Sequence, residues 1–63
     1  MNPTMIASIE RLEELAAWHR ANASHAGSVW VWDARLRTAE DLEHQASQLR
    51  ARLKAAAQLA PAA

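Results

Sequence analysis

The sequence predicts an all-α protein: an antiparallel helical hairpin with a longer second helix, two copies of which are expected to dimerise into a four-helix bundle. Three observations carry this. Apolar and small residues recur at helical spacing in two stretches: Met5, Ile9, Leu12, Ala16 and His19, then Trp32, Arg35, Ala39, Leu42, Ala46, Leu49, Leu53, Ala56 and Ala60. Strong helix formers (Ala, Leu, Arg and Glu) dominate the composition, against one Gly and two Pro. Between the two stripes lies a single turn-like stretch, Asn22-Ala-Ser-His-Ala-Gly27-Ser28.

The first helix is expected over about 3–22. Asn2 is a capping residue, and Pro3 at the first helical position loses only an N–H that has no intrahelical partner. At about 100° per residue the stripe from Met5 to His19 stays on one face, with Leu15 at its margin and the Glu and Arg residues elsewhere. The turn is expected over about 23–28. Gly27 is suited to the left-handed conformation, and Ser28 to capping the next helix. So short a connection favours antiparallel neighbours.

The second helix is expected over about 29–60. Val29-Trp-Val-Trp32 alternates as a strand would, and Thr38-Ala-Glu-Asp41 resembles a helix start. An extended segment as far as Leu36 is therefore the competing reading. A lone strand would lack a pairing partner, however, and 34–37 holds good helix formers, so the continuous helix is preferred. Pro61 is expected to end it.

A tight turn predicts which residues face one another. Folding at 22–29 sets Met5 opposite Ala46, Ile9 opposite Leu42, Leu12 opposite Ala39, Ala16 opposite Arg35 and His19 opposite Trp32. Large residues then mostly oppose small ones, as interdigitated layers require. The same register brings Arg11 near Glu40 and Glu14 near Arg37. It leaves the second stripe without partners from Leu49 onward. Either this end is a frayed, Ala-rich tail, or it packs against another copy. Leu42, Leu49, Leu53 and Ala56 are thus the expected oligomer interface.

Size points the same way. The chain has 63 residues and no cysteine, so neither disulfides nor thiolate-bound metal is available to staple it. Chains below about 70–80 residues seldom build a sufficient core alone, which makes a homo-oligomer, and first of all a homodimer, the expected remedy. Lys and Arg balance Asp and Glu at seven each. Neither a signal peptide nor a membrane span is legible, so a soluble cytoplasmic protein that does not associate with membranes is expected.

All three tryptophans flank the turn. They serve either as an aromatic plug or as an anchor for a protein partner, with Trp18, Val29 and Trp30 the candidate partner-binding residues. Catalytic chemistry finds little support. Asp41 and His44 point away from the stripe, which argues against a metal site in a bundle core. His19, His25 and Asp33 lack a defined ligand spacing, and there is no Gly-rich phosphate loop or convincing Ser/His/Asp arrangement. No cofactor and no enzymatic activity are expected.

The functional expectation is a small non-catalytic interaction or regulatory protein, or an accessory subunit, acting through a homo-oligomeric bundle and an aromatic tip. The alternative is a nucleic-acid-binding hairpin dimer using Arg37, Arg50, Arg52 and Lys54, because residues 45–63 carry three cations and no acid.

Overall fold

The computed structural model describes residues 3–59. Two helices account for nearly all of them: α1, Pro3–Ala23, and α2, Val29–Leu59. They pack as an antiparallel hairpin about 57 Å long. No helix among the described residues is long and apolar enough to cross a membrane. The expected capping role of Asn2 and the stop at Pro61 lie outside the described residues.

The end of α1 is closed by its own side chains. The Asn22 side-chain amide donates to the Trp18 carbonyl at 2.8 Å, and Ser24 Oγ donates to the Ala21 carbonyl at 2.8 Å. The His25 and Ala26 N–H groups donate to the carbonyls of Asn22 and Ala23 at 3.2 and 3.0 Å. Three carbonyls that α1 leaves without helical partners, those of Ala21, Asn22 and Ala23, are thereby satisfied. The expected left-handed glycine is not used. Gly27 does not adopt a positive φ, because the tight turns at 22–26 end the helix before the chain reaches it.

Helix α2 starts as expected. Ser28 Oγ accepts from the Val31 N–H at 3.3 Å, and the Ser28 carbonyl accepts from the Trp32 N–H at 3.1 Å. The helix then runs unbroken through the ambiguous 29–38 stretch. Thr38 does not cap a later start; its hydroxyl donates back to the Ala34 carbonyl at 2.9 Å.

Among the described residues five are buried: Ile9, Ala16, Ala23, Ala39 and Ala46. Each helix repeats its buried positions every seven residues, the spacing of a left-handed coiled-coil seam. Four of the five are alanines. A buried methyl contributes about 0.8 kcal/mol, against about 1.5–3 kcal/mol for a fully buried Val, Leu or Ile. Among the described residues no large side chain is completely enclosed, Ile9 keeping 4% exposure. The seam lets the helices approach closely and gives little hydrophobic stabilisation in return.

Two cross-helix ion pairs report the register. Arg20 donates to both carboxylate oxygens of Glu43, from Nε at 2.7 Å and Nη2 at 2.6 Å. Arg50 Nη2 donates to both oxygens of Glu13, at 2.8 and 2.7 Å. Glu13 and Arg20 lie one heptad apart, as do Glu43 and Arg50, so both pairs belong to one alignment.

That alignment corrects the expected register, which would set Glu13 beside Thr38, twelve residues or about 18 Å along α2 from Arg50. Side chains leaning toward their own N-termini bridge part of this distance, and a slide of α2 by roughly one to two turns covers the rest. The expected Arg11–Glu40 and Glu14–Arg37 pairs are accordingly absent. Arg11 pairs instead with Glu14 at 3.8 Å and Arg37 with Asp33 at 3.0 Å, each within one helix. Leu12 lies beside Gln45, Gln48, Leu49 and Arg52 rather than opposite Ala39.

The slide moves the overhang. Leu49 and Leu53 are half-buried within the single chain, so intramolecular partners do not end at Leu49. The uncovered end begins after Leu53, with Ala56 exposed and Leu59 81% exposed. A second uncovered stretch appears at the start of α2, where 29–34 are all exposed.

Two predictions follow from the seam and its ion pairs. Ala39 is 0% exposed, so Ala39→Leu is expected to destabilise the hairpin by about 1–3 kcal/mol in chemical denaturation, while Ala51→Leu on the exposed face changes it by less than about 0.5 kcal/mol. The second concerns acid. The hydrogen bond from Arg20 holds the Glu43 carboxyl below its ordinary value, with desolvation pulling the other way and the Arg20 charge assisting. A carboxyl lowered on folding stabilises the fold above its unfolded-state value near 4.5 and loses that contribution as pH falls through the lowered value. Thermal melts of native and Glu43→Gln chains are therefore expected to differ at neutral pH and to converge as pH falls through the lowered Glu43 value. An equal gap at every pH would contradict this.

Candidate functional site

The two flanks of the hairpin differ in kind. Along one, Arg20–Glu43 and Glu13–Arg50 lace α1 to α2, each side chain about half exposed. At helical spacing, the opposite flank carries Leu12, Leu15, Trp18 and His19 of α1 against Ala34, Thr38, Gln45 and Arg52 of α2. No cross-helix ion pair closes that side among the described residues, and shallow clefts open there instead.

One cleft, of about 450 Å³, lies near the turn between Trp18 and His19 on α1 and Trp30, Val31, Ala34, Arg35 and Thr38 on α2. The Trp18 and His19 rings meet edge to face, with centroids 5.0 Å apart. The Arg35 guanidinium carbon sits 5.4 Å from the Trp18 ring centroid, in cation–π range. His19 Nδ1 and Arg35 Nε are both shut off from solvent and have no hydrogen-bond partner among the described residues. Leaving a buried polar atom unsatisfied costs about 1–3 kcal/mol. His19 and Arg35 thus take stability from a seam that is already thin.

The aromatic tip is open in the single chain. Trp30 is 86% exposed, Val29 77%, Trp18 53% and Trp32 51%. Of the candidate partner-binding residues, Trp18 and Trp30 line the same cleft, whereas Val29 stands at the exposed start of α2. The expected oligomer-interface residues fall in two groups: Leu42, Leu49 and Leu53 are half-buried, and Ala56 is fully on the surface.

The four candidate nucleic-acid cations do not form one free set. Arg37 is held by Asp33 and Arg50 by Glu13, while Arg52 and Lys54 have no ion-pair partner among the described residues. Arg52 borders a second cleft of about 190 Å³ with Leu12, Gln45, Gln48 and Leu49. No group of three His, Asp or Glu side chains suited to holding a metal ion occurs among the described residues.

Sequence reasoning missed two contributors. Arg35 was visible as a polar interruption of the stripe, but its place over Trp18 depends on the slide of α2. Leu59 lies outside the stripe read from the sequence, and its exposure matches that of Trp30 at the other end of the same helix. No protein-family model, curated protein or solved structure matches the chain.

Proposed function

We propose that this chain is a small non-catalytic interaction or regulatory protein, or an accessory subunit, that works as a homodimeric helical bundle and presents its aromatic tip at an interface. One observation carries the reading. The tryptophans, the costliest apolar side chains to leave in water, stand at least half exposed beside a seam built of alanines. Tryptophan is also the residue most enriched where binding energy concentrates. A second helical layer over the open flank would bury what the alanine seam leaves uncovered.

The alternative of a nucleic-acid-binding hairpin dimer has weaker support. Two of its four cations, Arg37 and Arg50, are already engaged by acids of the same chain. Arg52 and Lys54 alone make a small electrostatic footprint.

Sedimentation equilibrium of the intact chain at micromolar concentration tests the proposal. The expected result is about twice the single-chain mass. Trp30→Ala is expected to shift the equilibrium toward single chains, while at dilutions where native and variant are both single chains their helicity matches, since an exposed residue contributes little within one chain. Single-chain mass at every concentration would contradict the dimer. Salt-sensitive binding to duplex DNA or RNA would favour the alternative.

A further inference from the structure

Resting on that dimer reading, we propose that the second copy lies antiparallel along the outer flank of α2, about a two-fold axis near Ala46 and Ser47. Asp41 of each copy then meets Arg52 of the other, and each aromatic tip receives the other copy's Leu59.

The pattern along α2 is self-complementary. From Trp30 and Ala34 through Asp41, Gln48 and Arg52 to Leu59, residues at helical spacing share one side of the helix. The order along this stripe is apolar, acidic, amide, basic, apolar. Turning it end for end about the 46–47 midpoint sets acid against base and Leu59 against Ala34, next to Trp30. An isologous contact requires this property: one patch that matches its own reversed copy.

Charge selects the antiparallel sense. The first half of α2 carries Asp33, Glu40, Asp41 and Glu43 against Arg35 and Arg37; its last two turns before the apolar end carry Arg50, Arg52 and Lys54 with no acid. A parallel pairing of α2 with itself would stack these like charges, whereas an antiparallel one opposes them. Asp41, Arg52 and Lys54 have no ion-pair partner among the described residues, so they are available to a second copy, whereas the Glu40 charge acts on Arg20 of its own chain. Asp41 accepts a hydrogen bond only from Gln45, at 2.9 Å on the same helix.

The apolar ends supply area. Given the exposure of Trp18 and Trp30 on this flank, two copies hold roughly 400–700 Å² of tryptophan surface to bury. That is a substantial part of the about 1,600 Å² of a standard stable interface, and the clefts, Leu59 and the amide centre extend it. The opposite flank offers less, because its charges are already committed to Arg20–Glu43 and Glu13–Arg50.

A spin label on Gly27→Cys tests the arrangement. The chain has no other cysteine, and a side chain added at Gly27 meets nothing within 4 Å. Antiparallel packing places the two labels at opposite ends of the assembly, about 50–60 Å apart at 1.5 Å per residue. In parallel, Asp41→Arg and Arg52→Asp are each expected to weaken self-association about tenfold, by turning two attractive contacts into two repulsive ones. The double variant D41R/R52D is expected to restore it to within a few-fold of native. A dimer with labels closer than about 20 Å, or charge variants without effect and rescue, would overturn this arrangement while leaving the dimer reading intact. A chain that sediments as a single copy would overturn both.

Discussion

Everything else in this molecule depends on how closely α1 and α2 approach across Ala16, Ala23, Ala39 and Ala46. Small residues every seventh position let the two backbones draw together, and that proximity allows Arg20 to grip Glu43 and Arg50 to grip Glu13. The ion pairs are half exposed, so solvent screens them and each stabilises the fold only slightly. Their main effect is on register, since of all the heptad steps available to the seam, one alignment satisfies both. Packing supplies the proximity and charge supplies the choice.

The same seam limits the fold. Alanines bring little apolar surface out of water, and the polar seam residues His19 and Arg35 each carry a buried nitrogen with no partner. Of the larger apolar side chains, Ile9 is buried and Leu12, Leu42, Leu49 and Leu53 are half-buried along the seam. Trp18, Trp30 and Trp32 crowd one end, and Leu59 stands at the other. A hairpin with a thin centre and exposed apolar ends has strong physical reason to associate, and the charge order along α2 gives that association a direction.

Much of the fold was legible in the sequence because it is decided locally. Helical periodicity located both helices, and Ser28 marked the start of α2 through a hydrogen bond that spans three residues. The register was not legible. Seams that repeat every seven residues oppose large and small side chains acceptably in several alignments, so the arithmetic of a tight turn could not discriminate among them. Arg11 and Arg37 also had acids within reach on their own helices, Glu14 and Asp33, and those local pairs form in place of the cross-helix ones. Gly27 misled for a related reason: glycine permits a left-handed turn, but the Asn22 and Ser24 side chains finish the helix without one. The candidate site was half legible. The tryptophans were evident, whereas the cleft they form with Arg35 depends on the slide of one helix past the other.

On the proposed dimer reading, the alanine seam does not sustain the fold alone and a second copy completes it. Thermal unfolding followed by far-ultraviolet circular dichroism over a hundredfold range of chain concentration tests this most directly. Association that is coupled to folding makes the midpoint rise with concentration, by mass action. A midpoint that climbs steadily with concentration is the predicted result. A cooperative transition at one fixed temperature across the whole range would contradict it.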